Sequence, residues 1–406
     1  MRVYPLRKSK KRGQQGMTLV GLSGNLWPVH LKPFPDELLS SWLVRLAHGH
    51  GLKLQTFCSL VFGRDKAIWN RDIDKMAPDW LISKLAECTG ASLEMVMDTT
   101  LKSYEGILYE HHQPNGNTKW ILPLGVYHRT HQDFGLQFCP QCLAEDADPF
   151  YRKHWRLAFY TECERHQILM HDRCPHCSAP VNYHRAEMGT RSLIKGSTVH
   201  CHSCGFDLRY SPSIRTGCQD WRTITAHRSI LFSHQLGWSF IDNTEFQYAQ
   251  NLFDVLHHLC KLMASNRKAS QWLRYVAKEL QLETGDFIHS SGRTFEQCNQ
   301  HDRHMLFCCA VWLLFDWPGR FVSVCKELRI SSAYVLVDFD KAPYWFASVI
   351  NEQLNQSQYS PTDREFLEAG RWLSRNGKKA SISATCRLLG YSKLKLRPRP
   401  EVRSRD

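Results

Sequence analysis

The chain has no run of about 18 apolar residues, the least that a membrane-spanning helix requires, although 43% of its 406 residues are hydrophobic. Residues 1–16 also lack the apolar stretch of a secretory signal, because they are basic and polar. These two absences predict a globular protein that has no membrane partner. We expect it to work inside the cell, in the cytoplasm.

Acidic residues are scarce at both ends of the chain. Residues 1–12 contain six Lys or Arg and no acid, and residues 387–406 contain seven Lys or Arg against two acids, so the ends hold +11 of the net charge of +13. Flexible basic segments attract phosphate, and we predict DNA contacts from Arg7, Lys8, Lys10, Lys11, Arg12, Lys393, Lys395, Arg397 and Arg399. The composition leaves open that these ends only keep the protein soluble.

Cysteine, by contrast, is plentiful, and much of it is arranged in half-sites of two ligands separated by two residues. The half-sites are Cys139 with Cys142, Cys163 with His166, Cys174 with Cys177, and Cys201 with Cys204. Such a spacing forms a tight turn that lets both side chains reach one ion, and two half-sites complete a tetrahedron around Zn²⁺. We therefore predict two zinc ions, one on the first two half-sites and one on the last two.

These ions should be structural, because a catalytic zinc usually keeps three protein ligands and an open position, whereas each cluster offers four. The spacing leaves two questions open. A cross-braced pairing would use the same half-sites in another order, and further histidines lie nearby, namely His154, His171, His176, His200 and His202. Of the 16 cysteines, those outside the half-sites lie in apolar stretches and are typical of reduced core residues.

The hydrophobic pattern elsewhere predicts helices. Apolar residues at steps of three and four predict a first helix that begins near 34–37, with Pro35 at its first position, and ends at Gly49 and Gly51. Further helices are predicted at 56–62, 79–88, 92–97, 226–238, 249–264, 270–282 and 303–315. No strand-like alternation of any length occurs from residue 218 onward.

The predicted fold class is therefore mainly α, with a helix-turn-helix-like region, tandem zinc-finger modules and a helical carboxy-terminal domain. We divide the chain into five parts: a basic leader (1–33), the N-terminal helical domain (34–135), the zinc-finger region (136–210), the helical C-terminal domain (211–386) and a basic tail (387–406). Segment 104–136 is rich in Gly, Pro, His and aromatics, which predicts an irregular segment leading into the zinc-finger region.

Two C-terminal segments carry the pattern of a helix-turn-helix motif. In 321–339 the position of the turn holds Arg329 rather than glycine, and the second helix has no Lys or Arg, which favours a packing or protein-binding role. In 381–399 the residues after the turn are basic, but Pro398 and Pro400 would soon stop the second helix. That segment is equally compatible with an extended basic arm along a DNA groove.

With these elements in place, the chain resembles the TniQ family of bacterial transposition proteins, which choose where certain transposons insert. The resemblance rests on PDELLSSWLVRLA at 35–47, on TGASLE at 89–94 and above all on FCPQCLAED at 138–146. An ordered series of single positions follows: Tyr151, Arg152, Trp155, Cys163, His166, Leu169, Cys174, Pro175 and Cys177. The resemblance as a whole covers about residues 30–205.

The resemblance implies a non-enzymatic adaptor that binds target DNA, or a complex already on DNA, and recruits the transposon's AAA+ ATPase and through it the transposase. It carries the zinc-ligand role onto the same eight positions and carries no catalytic residue. Some relatives dock as dimers onto an RNA-guided CRISPR complex, so a homodimer and guided targeting both stay open. Such a protein would be associated with the bacterial nucleoid when on DNA.

Two other functions compete with this one. A zinc-dependent nuclease or hydrolase would need a general base, and acidic residues do lie near the first cluster, namely Glu145, Asp146, Asp148 and Glu162. A stand-alone zinc-containing transcription regulator would share the helical pairs, the metal modules and the basic ends. The ordered motifs favour the transposition adaptor over both.

Overall fold

The structure is a computed structural model that describes residues 22, 25–66, 68–190, 196–215, 223, 226–231, 237–239, 247–265, 270–282, 294–354 and 361–389. These residues are mainly helical, which confirms the predicted fold class. They fall into two compact units, divided between Phe321 and Val322.

The first unit opens with a group of helices at Leu39–Gly49, Leu54–Val61, Ile73–Met76, Asp79–Thr89 and Leu93–Asp98. The first of them begins later than the predicted 34–37. Asp36 takes a positive φ of 59°, which a continuing α-helix does not allow. Phe34 and Glu37 close a turn there, since the Phe34 amide donates to the Glu37 carboxylate at 3.0 Å. The helix ends at Gly49, as predicted.

Segment 104–136 is largely irregular, as predicted, and contains one short hairpin of Val126–Tyr127 with Thr130–His131. Short 3₁₀ helices occur throughout the first unit, at Ile68–Asn70, Leu101–Tyr104, Lys153–Arg156, Tyr183–Arg185, Ser197–Val199, Leu208–Tyr210 and Phe295–Gln297. The helix Pro140–Glu145 joins the first pair of cysteines.

Three longer helices complete the first unit, at Ala249–Ser265, Ser270–Glu279 and Gln300–Leu314. Residues 226–231 are helical too, but the prediction of one helix over 226–238 was too long. Trp238–Ser239 pairs with Gln247–Tyr248 as a two-stranded antiparallel sheet. Two residues per strand are too few to show an alternating pattern in the sequence.

Trp120 packs the irregular segment 104–136 against these helices. Its buried indole makes edge contacts with Phe159, Phe253, Phe295 and Phe307, with ring centroids 5.1 to 6.0 Å apart. Edge-to-face pairs at this separation stabilise a core beyond the area that they bury. One aromatic core therefore spans residues that the sequence assigned to three predicted domains.

Buried ion pairs join the N-terminal helices to the zinc region. Arg156 is fully buried, and its guanidinium donates to Asp72 at 2.7 Å and to the Leu122 carbonyl at 2.8 Å. Arg45 donates to the buried Glu37 carboxylate at 2.6 Å and, across to the zinc region, to Asp148 at 2.9 Å. Breaking such a pair leaves an uncompensated charge at a cost of about 3–5 kcal/mol, so both arginines fix the relative position of these elements.

The second unit contains most of the helix Gly319–Glu327 and all of Ser332–Val335, Tyr344–Gln353, Asp363–Arg375 and Ile382–Leu388. The turn before Ser332 contains Arg329 with a positive φ of 53°, a conformation that glycine adopts more readily. The helix that follows has only four residues, which is short for a DNA-recognition helix. The second half of the motif predicted at 381–399 lies outside the described residues.

In the part of the chain that the structure describes, no single helix is long and apolar enough to cross a membrane. One pair, Gln300–Leu314 and Gly319–Glu327, meets the length and composition test only when both helices are counted together.

Candidate metal centres

The first metal cluster is built from a helix start and a tight loop. Cys139 stands immediately before the helix Pro140–Glu145, and proline at the first helical position favours this start. On the other side, the Gln167 amide donates to the Cys163 carbonyl at 2.7 Å, and the Cys163 amide donates to Ile168 at 2.8 Å. The loop therefore turns Cys163 and His166 toward Cys139 and Cys142.

The four ligand atoms of this cluster lie within 4.8 Å of one another. His166 Nδ1 is 3.3 Å from the sulfurs of both Cys139 and Cys142 and 3.5 Å from that of Cys163. The Cys142 and Cys163 sulfurs are 3.7 Å apart. Zinc–sulfur bonds of about 2.3 Å and zinc–nitrogen bonds of about 2.0 Å give tetrahedral edges of roughly 3.5–3.8 Å. The donor set and its spacing therefore fit Zn²⁺.

The other ring nitrogen of His166 is also engaged. Its Nε2 lies 3.0 Å from Glu145 Oε2, and a carboxylate in this position orients a metal-binding histidine and fixes its tautomer. The thiols crowd one another, and hydrogen bonds with Cys139 and Cys163, together with burial, raise the pKa of the Cys142 thiol. A cation would relieve this crowding, because it binds the thiolate form.

The second metal cluster consists of two similar loops. The Ser178 amide donates to the Cys174 carbonyl at 2.9 Å, and the Gly205 amide donates to the Cys201 carbonyl at 2.9 Å. Gly205 has a φ of 74°, which glycine adopts without strain. Each loop presents its two cysteines to the other loop.

The sulfurs of this second cluster lie within 4.8 Å of one another. Those of Cys174 and Cys204 are 3.7 Å apart, and those of Cys177 and Cys201 are 3.6 Å apart. These separations also match the edges of a zinc–thiolate tetrahedron, which are about 3.8 Å. Cys174 and Cys201 are buried whereas Cys204 is exposed, so this centre lies nearer the surface than the first.

The structure groups the half-sites in sequential order. The nearby histidines have other contacts: His171 Nε2 is 2.8 Å from the Pro212 carbonyl, and His200 Nδ1 is 2.8 Å from the Gly196 carbonyl. His154 pairs with Asp36, and His176 stacks on Phe206. None of these four histidines belongs to either cluster.

The acidic residues near the first cluster are held by cations. Asp146 binds Arg152 through two bonds of 3.1 and 2.9 Å, and Asp148 accepts from Arg45 at 2.9 Å. Glu145 contacts both His166 and Arg165, and Glu162 lies 3.6 Å from Arg228. Each of these four carboxylates therefore has at least one arginine partner.

The basic residues predicted to contact DNA lie outside the described residues, at both ends of the chain.

The structure also contains a third group of metal-capable side chains that was not predicted from the sequence: His227, His304 and Cys308. The only available signal was the four-residue spacing of His304 and Cys308 within a predicted helix, because His227 is distant in sequence.

The sequence model of the TniQ family matches residues 28–170. This stretch contains the N-terminal helices, the aromatic residue Trp120 and the whole first metal cluster, whereas the second cluster lies beyond it. No curated protein is detectably similar to the chain. The predicted resemblance is confirmed, and the chain carries a TniQ domain over residues 28–170.

Proposed function

We propose that this chain is a non-enzymatic adaptor that selects the target site in DNA transposition. It binds target DNA, or a targeting complex already on DNA, and recruits the transposon's AAA+ ATPase and through it the transposase. The TniQ domain at residues 28–170 carries this proposal, because the domain is associated with transposition rather than with a chemical reaction.

The two metal clusters support a scaffold role. Each offers four protein ligands, which closes the coordination sphere of a zinc ion and leaves no position for a reacting water. We assign one structural Zn²⁺ to Cys139, Cys142, Cys163 and His166, and a second to Cys174, Cys177, Cys201 and Cys204. Small modules held by zinc depend on the ion for folding, so these ions would maintain the surfaces that partners bind.

The DNA contacts in this proposal come first from the basic ends of the chain. The structure adds exposed cations near the turn between the helices Asp363–Arg375 and Ile382–Leu388: Lys378 and Lys379 lie on the turn, Arg375 ends the first helix and Arg387 lies in the second. The first three precede the basic tail in sequence and Arg387 is its first residue, so turn and tail together would present one positive stretch to phosphate.

Two routes to the target fit this adaptor. It would either contact target DNA itself or dock, as a homodimer, onto an RNA-guided CRISPR complex. A direct binder retains its affinity for DNA when purified alone, whereas a guided adaptor gains it only with the complex. Gel-shift measurements with and without that complex separate the two routes.

The second candidate function is a transcription regulator that binds DNA alone. It is favoured by the exposed basic turn and by the paired helices of the second unit, since both would serve a regulator as well. It requires no ATPase partner, which is the property that distinguishes it from the adaptor.

The decisive experiment is a pull-down of the full-length chain with a transposon AAA+ ATPase, in the presence of ATP and target DNA. The adaptor retains the ATPase and directs insertion when transposase is added. The matched control is Cys139→Ser, which should lose both because its metal-held core fails. Retention of DNA but no ATPase, with no effect on insertion, would contradict the adaptor and favour the regulator.

A further inference from the structure

A third cluster of metal-capable side chains lies in the first unit, apart from the two centres described above. His304 and Cys308 stand four residues apart on the helix Gln300–Leu314, a spacing that places both on one helix face. His227 belongs to the helical residues 226–231 and approaches that face, with its ring centroid 5.8 Å from that of His304. Their ligand atoms lie within 4.8 Å of one another.

All three side chains are buried. His227 is 2% exposed, His304 is 4% exposed and Cys308 is 3% exposed. Burial is the main cause that lowers the pKa of His227 to about 3 and that of His304 to about 4. Both rings are therefore neutral at physiological pH, which is the form of histidine that binds a metal ion.

The hydrogen bonds of His304 direct one nitrogen at the cluster. Its Nδ1 lies 2.9 Å from Thr161 Oγ1, and its Nε2 lies 3.6 Å from the Cys308 sulfur. If the Nδ1–H group donates to the threonine oxygen, the Nε2 lone pair faces Cys308. An oxygen behind a metal-binding histidine commonly holds the ring in this way.

His227 supplies a second, independent observation. Its Nε2 atom is buried and has no hydrogen-bond partner among the residues that the structure describes. Buried polar atoms are nearly always paired, so an unpaired nitrogen beside a thiol and a second imidazole requires an explanation. Packing against Phe307, at 5.2 Å between ring centroids, accounts for the position of the ring and leaves this nitrogen unexplained.

We propose that His227, His304 and Cys308 bind a third Zn²⁺. Two imidazoles and one thiolate are donors that zinc accepts, and the fourth position of the tetrahedron is left to a water molecule. Binding releases the thiol proton of Cys308, since the ion takes the thiolate. The ion joins residues 226–231 to the helix Gln300–Leu314. Because all three ligands are buried, the site is closed to a substrate, and its role is to fix residues 226–231 against that helix.

Zinc content of the full-length chain tests this proposal, with any histidine tag removed and loosely held metal dialysed away. The wild type should contain three zinc ions per chain, and Cys308→Ala and His227→Gln should each contain two. Cys309→Ala is the matched control, because Cys309 is an adjacent buried cysteine outside the cluster, and it should keep all three. Two ions in the wild type, or an unchanged content in Cys308→Ala, would overturn the proposal.

X-ray absorption at the zinc edge keeps the test valid even if a variant does not fold, because it needs only the wild type. With three occupied sites the ions share eight sulfurs over three zincs, and with two sites they share seven sulfurs over two. The mean sulfur number per zinc is therefore lower in the first case. A mean that matches two sites at full metal loading refutes the third site.

Discussion

Glu145 and His166 are joined across the first metal cluster, with the carboxylate oxygen Oε2 3.0 Å from the ring nitrogen Nε2. The opposite nitrogen, Nδ1, lies 3.3 Å from the sulfurs of Cys139 and Cys142. The carboxylate thus accepts the only ring proton and leaves the Nδ1 lone pair for the ion. An acidic residue that the sequence offered as a general base acts, in this geometry, as a support for a ligand.

Replacing Glu145 should weaken the first zinc site without abolishing it. Loss of a carboxylate behind a zinc-binding histidine typically lowers metal affinity by about 10–100-fold, and we expect this of Glu145→Ala. Glu145→Gln should lose less, because its amide oxygen can still accept the ring proton. Competition with a chromophoric chelator measures both. Glu94→Ala, an exposed acid away from the cluster, is the control, and equal affinity in all variants would argue against the support role.

The two metal centres should respond differently to loss of a cysteine. The first lies in the core, where Cys139, Cys142 and Cys163 are nearly inaccessible, whereas the second has Cys204 exposed. Cys139→Ser should therefore lower the thermal stability of the whole first unit, because metal binding there is coupled to folding. Cys174→Ser should open only residues near 171–210 and leave most of the helical signal.

Thermal unfolding followed by circular dichroism, combined with limited proteolysis, distinguishes these outcomes. Each variant should also hold one zinc ion fewer than the wild type. Cys88→Ser is the control, since Cys88 is buried and belongs to no cluster. A cooperatively folded Cys139→Ser protein with its full zinc content would remove the structural role of the first site.

The half-sites could be read from the sequence because each one is local. Two ligands separated by two residues, such as Cys174 and Cys177, form their turn from nearby backbone bonds alone, and the spacing reports that turn directly. The pairing of the half-sites depends on how distant loops meet, so the spacing left sequential and cross-braced orders open. His227 and Cys308 come together through tertiary packing, which leaves no periodic signal.

Buried ion pairs are a second feature that the sequence pattern did not predict. Arg156 and Asp72 are far apart in the chain, and charged residues are usually exposed, so nothing in the pattern predicted their buried pair. The late start of the first helix has a similar cause. The motif around Pro35 is typical of a helix start, but the carboxylate of Glu37 turns back to the Phe34 amide and to Arg45 instead.

His131 should make stability depend on pH. It is buried, and burial lowers its pKa to about 4 although its ring hydrogen-bonds the Val181 carbonyl at 3.0 Å. In the unfolded chain the pKa of this ring is about 6.5. Below that pH the unfolded chain binds a proton at His131, whereas the folded chain does not. The free energy of unfolding that depends on a neutral His131 is therefore fully present above pH 6.5, and it is lost as the pH falls from 6.5 toward 4.

His131→Asn should reduce this dependence, because the asparagine amide can donate to Val181 without titrating. Urea unfolding between about pH 7.5 and 5.5, at a buffered free zinc concentration, should show a shallower loss of stability in the variant. The difference should approach about 1.4 kcal/mol per pH unit below pH 6.5. Protonation of the zinc ligands affects both proteins alike and cancels. Parallel curves would show that His131 is not held neutral.

The basic tail should supply salt-dependent affinity for DNA. The helix Ile382–Leu388 includes the first two residues of the tail, so a truncation after Leu389 removes residues 390–406 and spares this helix and its buried Cys386. If Lys393, Lys395, Arg397 and Arg399 each contact a phosphate, the slope of log affinity against log salt should fall by about 3–4. A salt titration of the truncated and intact chains measures this slope.

A full-length variant with these four residues changed to Gln is the matched control, because it keeps the length of the tail and removes only the charge. It should reproduce the weaker binding and the smaller slope of the truncation. If the truncation weakens binding and the Gln variant does not, the tail acts through shape or through a partner rather than through phosphate contacts. Unchanged affinity in both, across the whole titration, would assign DNA binding to other parts of the chain, with the exposed turn at Lys378 and Lys379 the next segment to test.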